Sequence, residues 1–234
     1  MVYEIKIFSE LNSTLKKDWQ QLENNSLNYC FQTYDWFESW ENIYRKNNKN
    51  FYFNVCVLRY KSEIIAIFPF EIEKKYGLKI LKWAGDKQAD FCSPILNKDF
   101  NFNKKDFLDL YDQTLKQIKE IDLVYLKKQP EYIDEIKNPF VCFLKNYRDS
   151  KTYNILLPNK WEDYNKNVLK KEFYNQNSRK KRSLEKLGEL KFRVIEDQNE
   201  KKTILDKLFT QKNIRLSSKG IQDILNDNDL KFYK

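Results

Sequence analysis

The chain has 234 residues, 41% hydrophobic and 16% aromatic, with 43 Lys and Arg against 34 Asp and Glu and a net charge of +9. That is enough apolar material for one large core or two small ones, and too much for a disordered chain. Histidine is absent, which excludes Ser-His-Asp and Cys-His catalysis and zinc sites of the Cys/His type, so a general base must be Asp, Glu, Tyr, Lys, Cys or a water.

The start, "MVYEIKIFSE", lacks a basic n-region and an apolar h-region, and no window is apolar for long enough to span a membrane. A soluble, cytoplasmic chain is expected. "YEIKIF" (3–8) alternates as an opening strand. Leu11, Leu15, Trp19 and Leu22 then recur at helical spacing, and a second helix begins near Thr33 or Asp35 with Trp36, Trp40 and Ile43 on one face. That stripe reads as core, with ligand stacking by Trp36 or Trp40 as the alternative. "FYFNVCVLRY" (51–60) and "EIIAIFPFEIE" (63–73), separated by "KS", predict an antiparallel hairpin. Pro69 has no amide hydrogen and should mark a sheet edge or a bulge.

"LKILKWAG" (78–85) is a further strand ending at a glycine, followed by the loop "DKQADFCSPIL" (86–96). A helix is expected over 104–120, a buried strand over 122–128, and a short helical excursion over 129–140. This order predicts an α/β fold with a mixed sheet flanked by helices. The four cysteines, Cys30, Cys56, Cys92 and Cys142, form no CxxC pair and read as buried, reduced thiols.

A second unit is expected from about residue 149: a strand at 152–158, a long helix from Trp161 to Leu187 with Gly188 as its C-cap, a strand at 189–197 and a helix over 200–216. Such an order exposes a sheet edge that calls for further strands. Charge separates the two parts. Residues 1–150 hold 23 Lys and Arg against 22 Asp and Glu, whereas residues 151–234 hold 20 against 12. The excess points to an anionic partner, although lysine-rich surfaces also arise without one. On a helix, Arg179, Arg182 and Lys186 share a face flanked by Lys180 and Lys181. They either grip a phosphate-bearing ligand or form a solvated face. In the loop after the strand at 78–85, Asp86 and Asp90 are candidate proton acceptors; the other reading is that they cap turns.

"FQTYDWFESW" (31–40), "IIAIFPFEI" (64–72), "LKWAGDKQADFCSPIL" (81–96), "NSRKKRSLEKLGELKFRVIED" (177–197) and "LDKLFTQKNIR" (205–215) occur in an order that resembles the CelD-like bacterial acyltransferases, relatives of the FemAB aminoacyltransferases within the GNAT superfamily. The resemblance implies two GNAT-like halves: a degenerate first domain over 1–148 and the basic beginning of a second, incomplete one over 149–234. It further implies transfer of an acyl group from a CoA-type thioester to an amine or hydroxyl, with a cell-envelope or polysaccharide precursor suggested as acceptor. Arg215 keeps the family's arginine, while Lys212 lies near the place of its histidine. No glycine-rich loop for the donor diphosphate is present, the four glycines being Gly77, Gly85, Gly188 and Gly220. The chain is therefore read as truncated, expected to bind acetyl-CoA weakly or not at all by itself, with acyl-CoA as co-substrate of the complete protein. Arg179, Lys180, Arg182, Lys186 and Arg215 are the expected acceptor-binding residues, and no metal site is expected. A nucleic-acid or polyanion-binding module and an inactive scaffold are the competing readings.

Overall fold

The computed structural model describes residues 3–26, 28–46, 48–118, 120–147, 155–221 and 226–234. The chain divides into two units, one comprising Met1–Asp149 and Leu225–Lys234, the other Ser150–Ile224. Read with the second unit from sequence, the last ten residues group with the first.

The first unit starts with β1 (Tyr3–Phe8) and α1 (Ser13–Glu23), whose N-terminus is capped by Asn12 Oδ1 accepting from Leu15 N at 2.9 Å. α2 (Tyr34–Trp40) is capped by Thr33 and runs directly into a π-helical turn over Glu41–Arg45. β2 (Phe51–Tyr60), β3 (Glu63–Lys75) and β4 (Leu78–Trp83) form an antiparallel meander with β1 on its outer edge. Lys61 and Ser62 both have positive φ (48° and 68°), as do Tyr76 and Gly77 (54° and 77°). Two such residues in succession make the tight reversals that suit twisted strands. The hairpin expected around "KS" is therefore present, with a left-handed Lys-Ser turn where glycine or asparagine is commoner.

β5 (Ile95–Leu96) pairs with β3, α3 (Lys104–Gln117) follows, and β6 (Leu123–Val124) lies parallel to β4. The sheet is thus mixed, in the order β1-β2-β3-β4-β6, with β5 off this path. Pro69 sits in the central strand β3 rather than at an edge. Its carbonyl accepts from Ala84 N at 2.9 Å, so its nitrogen faces the same side. On that side β4 pairing begins at Phe70 and β5 pairing ends at Ile67, which places the missing donor in the gap between two partners.

Each face of the sheet carries its own core. Leu15, Trp19, Leu22, Phe37 and Trp40 from α1 and α2 pack with Phe53, Val55 and Ile67. Phe107 and Leu110 from α3 join Phe68, Phe70, Leu81 and Trp83. Phe140 is the hub of that second core, with ring centroids of Phe68, Trp83, Phe107 and Tyr111 at 4.9, 5.1, 5.1 and 5.4 Å. It comes from α4 (Pro139–Phe143), which follows a small hairpin of β7 (Tyr132–Ile133) and β8 (Ile136–Lys137). A hairpin thus replaces most of the helical excursion expected at 129–140. The strand expected at 122–128 shrinks to two paired residues, and Leu123 is exposed rather than buried.

In the second unit, α5 (Trp161–Asn167) and α6 (Lys171–Glu185) replace the single helix expected from Trp161 to Leu187, the break falling at Val168–Lys170. The helix ends before Gly188, at Lys186. α7 (Gln198–Ser217) forms as expected, capped by Asp197. Of the strand expected at 152–158, residues 152–154 lie outside the described residues and 155–158 form none; residues 189–197 form none either. Sheet structure requires a hydrogen-bonded neighbour, which neither 155–158 nor 189–197 has among the described residues. α8 (Asp227–Tyr233) belongs to the first unit, where Phe232 meets Trp36 edge-on at 4.7 Å and Tyr44 Oη donates to Asp229 Oδ1 at 2.5 Å. Among the described residues no helix is long and apolar enough to cross a membrane.

Candidate functional site

The β3/β4 register sets Glu71 directly opposite Lys82. Both are buried, which for a charged pair demands close partners. Lys82 Nζ lies 3.1 Å from Glu71 Oε1, 3.1 Å from Glu73 Oε2 and 3.2 Å from Asp86 Oδ1, and 5.1 Å from the Phe51 ring centroid. Three carboxylates thus surround one ammonium.

Asp86 reaches this position because the chain turns sharply after β4. Gly85 has φ +69°, and a Cβ there would lie 3.3 Å from the Trp40 ring, so both conformation and space favour glycine. The loop is then tied down by Lys128, whose Nζ donates to the carbonyls of Asp86 and Ala89 at 2.7 Å each. Lys127 Nζ approaches Asp86 Oδ2 at 3.1 Å.

The cluster forms the wall of a cleft of about 340 Å³ shared by Glu73, Lys82, Asp86 and Lys127 with Tyr76 and Tyr125. Its location follows from the strand pattern. β4 and β6 run parallel and pair only as Ile80↔Leu123 and Leu81↔Val124, with a last bond from Tyr125 N to Leu81 O at 2.8 Å. Beyond that point their carboxyl ends separate, the place where open sheets with parallel strands receive ligands.

Burial raises Glu71 from its ordinary 4.5 to about 8, against the attraction of Lys82. Burial alone would lower Lys82, but Glu71 and Asp86 overcome it and hold the ammonium above its ordinary range. A protonated Glu71 is also what charge balance favours: Lys82 and Lys127 then face Glu73 and Asp86, two of each sign. Glu71 Oε2 is buried and has no hydrogen-bond partner among the described residues, so nothing there offsets the cost of burying a charge. The arrangement can store and release one proton near neutral pH beside a cleft that admits a ligand.

The described residues hold no group of three or more His, Cys, Asp or Glu side chains placed to bind a metal ion. Two solved structures similar to this chain are a GNAT family acetyltransferase from Staphylococcus aureus (11% identical, 66% of this chain and 100% of that chain, TM-score 0.37) and glucosamine-6-phosphate N-acetyltransferase from Arabidopsis thaliana (15% identical, 66% of this chain and 99% of that chain, TM-score 0.36). No protein-family model matches the chain, and no curated protein does. Likeness at these TM-scores carries no functional weight, so the chemistry of the cleft has to.

Of the two aspartates singled out from sequence, Asp86 belongs to the cluster and Asp90 stands exposed outside it. Arg179, Lys180 and Arg182 lie on exposed turns of α6, Lys186 at its C-cap and Arg215 in the last turn of α7. Sequence reasoning missed Glu71, Lys82 and Lys127. A signal for the first two existed: a two-residue turn at Tyr76–Gly77 pairs Lys75 with Leu78 and therefore Glu71 with Lys82. Lys127 had none, because it arrives through the long connection between two parallel strands.

Proposed function

We propose that the protein is an acyltransferase of GNAT type, taking an acyl group from an acyl-CoA thioester to an amine or hydroxyl acceptor, with the cleft as the place where the acceptor loses its proton. The observation that supports this reading is the buried Asp86, held between Lys82 and Lys127 at the mouth of the parallel strands. It agrees with the resemblance carried by the sequence motifs.

In the proposed reaction the acceptor nitrogen attacks the thioester carbonyl. The N–C bond forms, the C–S bond breaks, the nitrogen's proton passes to Asp86 directly or through a water, and the thiolate of CoA leaves and is protonated by solvent. Lys82 keeps Asp86 in place, and Glu71 behind it takes up or returns a proton as the local charge changes. No covalent intermediate is needed. Burial pushes the Cys92 thiol up to about 12 and Cys56 further still, so neither offers a thiolate nucleophile. The rate comes from positioning and from groups that stabilise charge, which suits a chain without histidine.

The test is thiol release from acetyl-CoA, with aminosugars, amino acids and polyamines as acceptors, by the protein as its organism makes it. Asp86→Asn should lower kcat by about 10²–10⁴, the usual weight of a general base, and leave the KM for acetyl-CoA nearly unchanged. Transfer that is absent for every acceptor, or indifferent to Asp86→Asn, removes the proposal and leaves the scaffold reading.

A second reading concerns α6 alone. Arg179, Lys180, Arg182 and Lys186 are exposed, and none makes an ion pair among the described residues; Arg182 Nε donates to the Ser178 carbonyl at 3.3 Å, and the charge of the row would suit a phosphate-bearing ligand. Titrations of wild type and the Arg179→Ala, Arg182→Ala double variant at two salt concentrations separate the outcomes. A sugar nucleotide lost by roughly tenfold to a hundredfold marks a phosphate site. Equal weakening toward unrelated oligonucleotides, with a flatter salt dependence, marks a nucleic-acid surface.

A further inference from the structure

The strand register arranges the cleft in rows. Glu73, Ile80 and Leu123 stand side by side on β3, β4 and β6. Lys82 and Tyr125 follow two residues further along and so on the same face. The floor is therefore apolar at Ile80 and Leu123, the latter 47% exposed, while Glu73, Lys82, Asp86 and Lys127 gather their charges at one end. Lys75 stands opposite Leu78 at the other end, roughly 13 Å of strand from Lys82.

An acceptor at the charged end is unfilled. Asp86 is buried, and its Oδ2 has no hydrogen-bond partner among the described residues. Lys127 Nζ is 3.1 Å away, near enough to attract but not aligned to donate. A buried carboxylate oxygen in that state calls for a donor, and the cleft that Asp86 lines is where one can enter. Lys127 keeps 40% of its side chain exposed, and an ammonium has three donors, so it can hold an anion as well as Asp86. An acceptor for a cation and a donor for an anion are thus adjacent, in a group with two charges of each sign.

A ligand with one charge of each sign on neighbouring groups satisfies both without unbalancing the four. An α-amino acid has that head. A polyamine adds cations beside Lys82 and brings no anion to Lys127, and a hexosamine brings none either and sets hydroxyls on Ile80 and Leu123. We propose that the acceptor taken by the cleft is an α-amino acid with a large apolar side chain, its ammonium on Asp86 and Glu73, its carboxylate on Lys127, and its side chain over Ile80 and Leu123 beside Tyr125. The inference rests on the acyl-transfer reading only in calling this ligand the acceptor.

The probe is L-phenylalanine, titrated calorimetrically into the full 234-residue chain without a donor. It should bind saturably. 2-Phenylethylamine, which lacks the carboxylate, 3-phenylpropionate, which lacks the amine, and glycine, which lacks the apolar body, should each bind roughly tenfold to a hundredfold more weakly. Lys127→Met should weaken phenylalanine by a similar factor and leave 2-phenylethylamine as it was, a selective loss that a merely structural lysine would not produce. Leu123→Asn should bring phenylalanine down toward glycine. Glycine or 2-phenylethylamine binding as well as phenylalanine overturns the proposal, as does equal weakening of both amines by Lys127→Met; if that variant does not fold, the ligand series on wild type decides. Selective binding with no transfer from acetyl-CoA to phenylalanine keeps the amino-acid site and removes the transferase reading. Transfer to other acceptors that depends on Asp86, with no phenylalanine binding, keeps that reading and overturns the amino-acid site.

Discussion

The two units draw on the same residue types and end in opposite states. In the first, Phe53, Phe68, Phe70, Phe107 and Phe140 are all at or below 1% exposure. In the second, Phe209 is the one buried side chain among the described residues, while Leu156, Leu187 and Phe192 are each at least 85% exposed. Helix-forming residues are plentiful in both. The difference lies in the sheet: a meander gives helices two broad faces on which to bury their apolar stripes, and among the described residues α5, α6 and α7 are offered no such face by strands of their own unit. Helix propensity can specify where the chain coils, but burial needs a second layer.

The sharpest way to break this comparison is a pair of phenylalanine truncations. Phe140→Ala should cost about 5 kcal/mol in urea unfolding, near the upper end for such changes because four aromatic rings close on that side chain, whereas Phe192→Ala should stay within about 0.5 kcal/mol. Comparable losses from both would mean that the second unit has a core of its own. Next in size, Lys82→Met leaves Glu73 and Asp86 without their shared cation. A loss of about 3 kcal/mol is expected, and adding Asp86→Asn should return part of it, because one of the stranded charges is then gone. If the double variant is no more stable than Lys82→Met alone, Asp86 and Lys82 are not coupled.

A third effect is read against pH. Glu71 binds its proton more tightly folded, at about 8, than unfolded, at its ordinary 4.5. Its contribution is therefore fully present below about 4.5 and is lost as pH rises toward 8, with a slope of at most about 1.4 kcal/mol per pH unit. Denaturant midpoints measured across that window should fall for wild type relative to Glu71→Gln, and parallel curves would show that the carboxyl titrates normally. The smallest effect belongs to the second unit. Arg179→Ala with Arg182→Ala should move stability by less than about 0.5 kcal/mol, since both side chains are exposed and without ion pairs among the described residues.

What could be read in advance divides along the same line. The β2/β3 hairpin, α1, α2 and α3 were legible because each is specified within a dozen neighbouring residues, by apolar alternation, by helical spacing or by caps such as Asn12 and Thr33. Asp86 was legible as a loop carboxylate, though its burial was not. Glu71 hid inside "IIAIFPFEI", where one acid in an apolar strand looks like a solvent-facing position until the turn at Tyr76–Gly77 fixes what lies opposite. Pro69 was misplaced for a similar reason: its tolerance depends on a gap between β4 and β5 that no local pattern encodes. The strand expected at 189–197 has the right alternation and no paired neighbour among the described residues, which fits the view that pattern specifies a strand's faces while pairing must come from elsewhere.

The grip of α8 on the first unit has a mechanical side. The chain leaves that unit near Asp149 and returns to it at Leu225, so a pull applied at residues 3 and 234 is carried from β1 through the sheet to α8 and bypasses the whole excursion between. Among the described residues the clasp includes a hydrogen bond from Tyr44 to Asp229 and the Phe232 ring against Trp36 and Tyr44. Under rising tension it should shear before the ladder of β2 and β3 does, and the 75 residues from Ser150 to Ile224 would then pay out as slack, at about 3.3–3.6 Å of contour per residue. α8 acts in this sense as a fuse, keeping load off the second unit until the force exceeds what that clasp can hold.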